Sequence, residues 1–202
     1  TGFKWIAALI NEHPELKFIG GGEESFGYLV GTQVRDKDAI SASLLACEIG
    51  LAAKEEGKSF WQLLLACYQK YGFYYERLFS LTKEGKSGAQ AIAKMMAFYR
   101  NNPPNKIAGI DLISIEDYLR KEKLEIKTQS KETLSLPKAD VLIFNLEDQS
   151  RIALRPSGTE PKIKFYFSVN TLYLENVSFE QQKIALHKKT ESLMKSFNDY
   201  DA

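Results

Sequence analysis

The segment Arg155–Pro161 constrains the fold most strongly, because it is a short polar turn between two runs of strand-forming residues. The flanking runs are Ser150–Leu154 and Lys162–Val169. A Gly- and Pro-containing turn between two such runs predicts a β-hairpin, and therefore an antiparallel sheet in the second half of the chain. Turn geometry does not, however, require an arginine, a serine and a threonine so close together.

These side chains are the ones that suit a phosphate dianion. Arg155 offers a planar fork of donors, while the hydroxyls of Ser157 and Thr159 and the backbone amide of Gly158 add further donors on a concave turn. A basic hairpin loop without a ligand has the same composition. On spacing alone, both interpretations stay open.

A second polar segment, Gly20–Gly27, contains Glu23, Glu24 and Ser25 in a glycine-rich frame. Carboxylates accept hydrogen bonds from groups such as sugar hydroxyls, and glycines let the backbone approach a ligand closely. Alternation along an extended loop would turn Glu23 and Ser25 to one side and Glu24 to the other. A solvated polar loop is the alternative. A glycosidase is disfavoured, because its two carboxylates must flank the scissile bond from opposite sides.

The charged segment Arg35–Asp38 precedes a predicted helix that Asp38 is placed to cap. A capped helix start with solvated charges is the simple interpretation. In the alternative interpretation, Arg35 or Lys37 lines an anionic pocket. Lys4 lies near the start of the first predicted helix, and its position alone indicates no role.

Hydrophobic periodicity and turn residues predict two parts. Residues 1–71 are expected to be an α/β part and residues 72–202 an α+β part with an antiparallel sheet flanked by helices, with a boundary near Tyr71–Gly72. The predicted helices are residues 3–10 with Thr1 as a cap, residues 39–56, a helix capped by Ser59 that ends near Tyr71, residues 87–100, a short turn at Ile115–Leu119, and residues 179–197 with Ser178 as a cap. The predicted strands are Leu16–Ile19, Phe73–Thr82, Leu124–Thr128, Val141–Leu146 and the two runs beside Arg155.

Charge and composition narrow the classes of function. Lysines and arginines number 27 and aspartates and glutamates 26, a net charge of +1 that argues against a nucleic-acid-binding protein. The sequence has no apolar run long enough to span a membrane, and His13 and His187 have no companion metal ligands at suitable spacing. Cys47 and Cys67 are expected to be buried, reduced thiols of a cytoplasmic protein. The aromatic residues between positions 68 and 79 are expected to pack in a core, and the start at Thr1 without Met suggests a piece of a longer protein.

Taken together and in order, the loops resemble those of the α-D-phosphohexomutases. The segment Gly22–Gly27 resembles the sugar-recognition loop of that family, Arg35–Asp38 the charged segment after it, and Arg155–Pro161 its C-terminal phosphate-binding loop. The Ser-Phe-Gly ending of the first loop is most similar to phosphoglucomutases, with phosphomannomutases and phosphopentomutases as close alternatives. The resemblance covers nearly the whole chain. It implies that the parent enzyme has four domains and that this chain contains most of the third domain and all of the fourth.

The resemblance also implies roles for individual residues. Gly22, Glu23 and Ser25 would bind the sugar, and Arg155, Ser157, Gly158 and Thr159 would bind the substrate phosphate. Lys4, Arg35 and Lys37 are further candidates for basic groups of the site.

The family's phosphoserine loop and aspartate-rich Mg²⁺ loop have no counterpart in this sequence, so no catalytic or metal-binding residue is expected here. The expected parent is a mutase that interconverts hexose 1-phosphate and hexose 6-phosphate, with Mg²⁺ and a bisphosphorylated hexose. The expected partners of this part are a sugar phosphate and the N-terminal domains. The part alone is expected to be inactive, and a non-catalytic sugar-phosphate-binding module is the alternative.

Overall fold

The computed structural model describes residues 2–23, 26–83 and 85–198. The chain divides into two compact units, residues 1–67 and residues 68–202. The division falls inside a helix, before the boundary at residues 71 and 72 that the sequence suggested. The assignment of residues 1–71 as one domain therefore stays a prediction.

The first unit consists of helices and one small hairpin. Its elements are α1 (Lys4–Glu12), β1 (Gly20–Glu23), β2 (Gly27–Val30), α2 (Ala39–Glu55) and α3 (Phe60–Tyr71), which crosses into the second unit. Strands β1 and β2 pair antiparallel. The prediction of a strand at Leu16–Ile19 is wrong, because the glycine run that follows it, within β1, forms the strand instead. A side chain on Gly21 would meet Ile6 of α1, since its Cβ would lie 3.0 Å from the Ile6 Cδ1 atom.

Two polar caps explain where the longer helices of this unit begin. The carboxylate of Asp38 accepts hydrogen bonds from the amides of Ile40 and Ser41, which confirms the predicted cap of α2. Ser59 and Gln62 cap α3 reciprocally: the Ser59 amide donates to the Gln62 side-chain oxygen, and the Gln62 amide donates to the Ser59 hydroxyl.

Helices α2 and α3 leave most of their apolar side chains in solvent. Ala53 is the one residue of α2 that is buried, and Ile40 is 83% exposed. Cys47 and Cys67 are exposed free thiols, so the expectation that they are buried is wrong. Among the described residues, the only sheet of this unit is the β1–β2 hairpin, and a single hairpin is too small to cover two helices rich in apolar residues.

The second unit is an antiparallel sheet with two long helices. Its elements are β3 (Phe73–Thr82), α4 (Gly85–Asn101), β4 (Lys106–Ile107), β5 (Ile110–Asp117), β6 (Glu122–Glu125), β7 (Lys131–Thr133), β8 (Leu142–Leu146), β9 (Arg151–Pro156), β10 (Lys162–Thr171) and α5 (Phe179–Asn198). The strand order is β3-β10-β9-β8-β5-β6-β7, and β4 pairs with β5. The predicted β9–β10 hairpin is confirmed. The mixed architecture expected from the sequence is confirmed as well.

One face of this sheet forms the core. Along β8 and β10, buried residues alternate with half-buried ones, and the buried set packs with residues of α4 and α5. Phe144, Phe165 and Phe167 are among the largest buried side chains. The helical turn expected at Ile115–Leu119 is wrong, because Ile115 lies within β5 and pairs with Phe144 of β8 and with Leu124 of β6.

The aromatic segment that precedes and begins β3 packs largely as expected. Phe73 is buried, and Tyr68, Tyr75 and Phe79 pack against the core. Tyr71 and Tyr74 are exposed, in contrast to the expectation of core packing. The difference follows from the strand alternation, which turns Tyr74 to the face opposite Phe73 and Tyr75.

Candidate functional site

The glycine-rich segment of the first unit is the β1–β2 hairpin. Gly22 pairs with Tyr28, and Glu23, the last residue of β1, pairs with Gly27. Ser25 and Glu24 lie outside the described residues. Phe26 closes the turn, because its amide donates to the Glu23 carbonyl oxygen over 3.2 Å. The predicted sugar-binding residues Gly22 and Glu23 therefore lie at the tip of a hairpin, and the prediction for Ser25 falls outside the part that the structure describes.

The charged segment lies against this hairpin. The amide of Asp38 donates to the Tyr28 carbonyl oxygen over 2.8 Å. The stem of Lys37 crosses Gly27 so closely that a Cβ on Gly27 would lie 2.5 Å from the Lys37 Cδ atom and 3.1 Å from the Phe3 Cε2 atom. The Lys37 ammonium lies 5.1 Å from the centre of the Phe3 ring. Glycine at position 27 therefore allows Lys37, the hairpin and the start of α1 to meet.

The electrostatics of Lys37 connect it with the hairpin tip. Its ammonium lies 2.7 Å from Oδ1 of Asp36, and this hydrogen bond is the main cause that raises the pKa of Lys37. The carboxylate of Glu23 contributes in the same direction. The same bond with Lys37 lowers the pKa of Asp36. Lys37 is thus a cation within electrostatic range of Glu23, held by a neighbour that keeps it charged.

The other two basic candidates are placed less specifically. Lys4 is exposed, and its ammonium lies 5.2 Å from the centre of the Trp5 ring. It follows Phe3, whose ring packs beside Gly27. Arg35 is exposed in the turn before Asp36. The structure therefore brings Lys37 to the hairpin and leaves Lys4 and Arg35 as exposed cations of the same unit.

In the second unit, the Arg155 segment forms the connection between β9 and β10. The Ser157 amide donates to the Lys162 carbonyl oxygen over 2.7 Å. The Ser157 hydroxyl accepts hydrogen bonds from the amides of Thr159, at 3.4 Å, and Glu160, at 3.3 Å. A Cβ on Gly158 would meet nothing within 4 Å. Ser157 thus organises the turn from inside, and the outer surface around Gly158 is open to a ligand.

Lys162 and Lys164 of β10 lie beside this turn. Neither lysine was predicted from the sequence as a site residue. Lys164 is the cross-strand partner of Arg155, so both side chains project from the same face, with Cβ atoms about 5 Å apart. Lys162 lies two positions before Lys164 on β10 and shares its face. Alternation along β10 would have identified both lysines, once Arg155 was placed opposite Lys164.

These cations differ from the other basic residues of the sheet. Arg100 lies between Asp117, 3.0 Å from its Nε atom, and Asp140. Arg151 pairs with Glu116 at 3.2 Å. By contrast, none of the acidic residues that the structure describes forms an ion pair with Arg155, Lys162 or Lys164. This end of the sheet therefore places three cations without a described ion pair beside a turn that is open around Gly158 and in which the Ser157 and Thr159 hydroxyls lie 3.4 Å apart.

Two features of the described ranges bear on other classes of site. No group of three or more His, Cys, Asp or Glu side chains in these ranges is arranged to hold a metal ion. None of the helices described is long and apolar enough to cross a membrane.

Comparison with known proteins gives three consistent findings. Residues 1–71 match the sequence model for the phosphoglucomutase/phosphomannomutase alpha/beta/alpha domain III. The chain is 40% identical over 178 residues to a phosphoglucomutase of Staphylococcus haemolyticus, which covers 88% of this chain and 32% of that protein. A phosphoglucomutase of Staphylococcus aureus is 39% identical over 181 residues, covering 88% and 32%. The chain thus spans about a third of the length of these relatives.

A solved structure has a similar fold. It is the exocytosis-sensitive phosphoprotein pp63/parafusin, a phosphoglucomutase from Paramecium, in an open form. The match has a TM-score of 0.65 at 20% sequence identity and covers 98% of this chain and 33% of that one. The mixed architecture, with its antiparallel sheet flanked by helices, corresponds to domains III and IV of phosphoglucomutases. These similarities identify the chain as a phosphohexomutase fragment.

Proposed function

We propose that this chain is the sugar-phosphate-binding region of a phosphoglucomutase-like enzyme that interconverts hexose 1-phosphate and hexose 6-phosphate. The relatives named phosphoglucomutase support the reaction. The observation that carries the proposal is the turn ordered by Ser157, which lies beside three cations without an acidic partner among the described residues. A phosphate dianion is the ligand that such a site suits.

Each part of the turn has a distinct task in this proposal. The guanidinium of Arg155 binds two phosphate oxygens through its fork, and Lys164 adds a second positive charge from the neighbouring strand. The Gly158 amide and the Thr159 hydroxyl donate from the turn, and Ser157 keeps the turn in shape. Because each charge-assisted hydrogen bond contributes about 1.5–3 kcal/mol, the phosphate is expected to dominate affinity.

The hairpin of the first unit is assigned to the sugar. Glu23 and Ser25 accept hydrogen bonds from sugar hydroxyls, and Gly22 allows the backbone to approach the ring. Lys37 supports Glu23 electrostatically. Lys4 and Arg35 are proposed as further basic groups of the first unit that take part in substrate binding.

The transfer of the phosphoryl group is assigned to other parts of the enzyme. The sequence contains no Ser-His-Asn-Pro stretch and no Asp-Gly-Asp-type run. The proposal therefore places Mg²⁺ and the phosphoserine in the N-terminal domains, the proposed partners of this region. The bisphosphorylated hexose is the intermediate that reorients between the two phosphoryl transfers. What this region does is to bind and orient the substrate.

Calorimetric titration tests the proposal. The 202-residue chain is titrated separately with glucose 1-phosphate, mannose 1-phosphate, ribose 1-phosphate and single-stranded RNA. We expect glucose 1-phosphate to bind most tightly and RNA not to bind. Tightest binding of mannose 1-phosphate or ribose 1-phosphate would indicate a phosphomannomutase or phosphopentomutase parent, and binding of RNA alone would contradict the proposal.

A second experiment separates the mutase from a non-catalytic sugar-phosphate-binding module. The chain is fused behind the preceding region of a staphylococcal phosphoglucomutase, and conversion of glucose 1-phosphate to glucose 6-phosphate is measured. Activity that disappears in the Arg155→Ala fusion is the expected result. A folded fusion that binds the sugar phosphate without converting it would favour the non-catalytic module.

A further inference from the structure

Phe26 is an apolar side chain in an otherwise polar, glycine-rich hairpin tip. Its ring is 87% exposed, more than any other large hydrophobic side chain among the described residues. It follows the two carboxylates and the serine of the loop and directly precedes Gly27. An exposed aromatic ring costs solvation free energy unless something covers it for part of the functional cycle.

The backbone at Phe26 is in a conformation that its side chain does not favour. Its φ is 64°, in the left-handed region, which is uncommon for bulky residues and is normally occupied by glycine or asparagine. At the end of a short hairpin turn, glycine would satisfy the same geometry without steric cost. The position therefore carries an aromatic ring that local structure does not require.

Aromatic rings and sugars have complementary surfaces. A hexopyranose has hydroxyls around its rim and C–H groups on its two faces, and an exposed ring beside hydrogen-bond acceptors offers both kinds of contact at once. Because apolar contact is non-directional, packing against an aromatic ring does not fix the orientation of the sugar. In the proposed function the phosphate is carried at C1 or at C6, so the hexose binds in two orientations. It exchanges its hydroxyl hydrogen bonds between these orientations but can present a C–H face in both.

We propose that Phe26 is a substrate-contacting residue whose ring packs against the C–H face of the bound hexose in both binding orientations. The inference rests on the proposed function and adds a specificity-determining group to it. In this proposal Glu23 and Ser25 recognise the sugar hydroxyls, whereas Phe26 recognises the apolar face of the sugar ring. The alternative is that another protein surface covers Phe26, and the titrations described next distinguish the two cases.

The test compares a sugar phosphate with inorganic phosphate. The chain and its Phe26→Gly variant are titrated with glucose 1-phosphate, glucose 6-phosphate and inorganic phosphate, and Tm is measured for both proteins. We expect Phe26→Gly to weaken binding of both glucose phosphates by roughly threefold to tenfold. We expect binding of inorganic phosphate to change by less than about twofold and Tm to be equal or higher, because glycine accepts the left-handed backbone. Leu172→Ala, which truncates a side chain that is 80% exposed, is the matched control and is expected to change none of these values.

Three outcomes are informative. Unchanged binding of both glucose phosphates to Phe26→Gly overturns the inference and leaves the ring to a protein contact, while the proposed function stands. Equal weakening of sugar phosphates and inorganic phosphate overturns it as well, since the effect would not be specific for the sugar. If the unmodified chain binds glucose 1-phosphate no more tightly than inorganic phosphate, the proposed sugar site fails, and the inference fails with it.

Discussion

Arg155 and Lys164 stand directly opposite each other on β9 and β10, and no described carboxylate pairs with either of them. Like charges in this arrangement destabilise a sheet. In a chain whose net charge is only +1, such a pair is explained most simply by an anion that neutralises it. The turn that Ser157 organises lies next to this pair, and the proposed function assigns the remaining donors to it.

We expect Arg155→Lys to weaken binding of glucose 6-phosphate by roughly fivefold to tenfold, because lysine keeps the charge but loses the two-pronged contact. Calorimetry on the chain measures the change. Arg120→Lys is the matched control, since Arg120 bonds to Asn101 and Asp117, and it is expected to bind as the unmodified chain does. An Arg155→Lys variant with unchanged affinity would contradict the assignment of Arg155.

We expect Lys164→Gln to have opposite effects on binding and stability. It should weaken phosphate binding by about tenfold, because one charge-assisted contact is lost. Without phosphate it should raise the free energy of unfolding by up to about 1 kcal/mol, because a like-charge pair is removed. Denaturant unfolding with and without phosphate measures both effects. Lys94→Gln on the exposed face of α4 controls for the change in net charge, and a loss of stability in phosphate-free Lys164→Gln would contradict this account.

The sheet illustrates what the sequence could predict. Phe73–Thr82 was predicted with the bounds that the structure shows, because alternation and a preceding glycine mark a strand clearly. The sequence pattern placed Ile115 in a turn, whereas its strand character depends on pairing with two distant neighbours. Contacts of this kind are not encoded in local periodicity.

The candidate site shows a similar division. Arg155 and Ser157 could be identified from residue type and spacing, whereas Lys164 could be identified only after the β9–β10 register placed it opposite Arg155. Lys37 was a weak candidate in the sequence, and its contact with Gly27 is visible only in three dimensions. The exposure of Cys47 could not be foreseen either, since it depends on how much of a sheet covers α2.

We expect Gly27→Ala to destabilise the first unit and to weaken sugar-phosphate binding. The new methyl group would overlap the Lys37 stem, and overpacking of this kind costs about 1–3 kcal/mol. Thermal unfolding and calorimetry measure the two effects. Adding Lys37→Ala to Gly27→Ala removes the overlap, so the double variant should recover stability but not binding. A double variant as unstable as Gly27→Ala would show that the Lys37 stem is not the cause.

The cap of α2 is expected to make the first unit sensitive to acid. Hydrogen bonds from Ser41, with a further one from the Ile40 amide, lower the pKa of Asp38. A lowered carboxyl pKa stabilises the fold above the unfolded value of about 3.9, and this stabilisation is lost as the pH falls through the folded pKa. Asp38→Asn keeps a capping oxygen but does not titrate. The Tm advantage of the unmodified chain over Asp38→Asn should therefore be present at neutral pH and be lost as the pH falls below about 3.9 and through the folded pKa. A difference that is independent of pH would contradict this explanation.

The most direct test of the central claim is amide NMR of the chain during titration with glucose 1-phosphate, followed by a product assay. The account predicts saturable shifts in the signals of Arg155–Thr159 and in those of Gly22, Glu23 and Gly27. It also predicts that no glucose 6-phosphate forms, even with Mg²⁺ and glucose 1,6-bisphosphate present. Absence of shifts in both loops at millimolar sugar phosphate, or formation of glucose 6-phosphate by the chain alone, would contradict it.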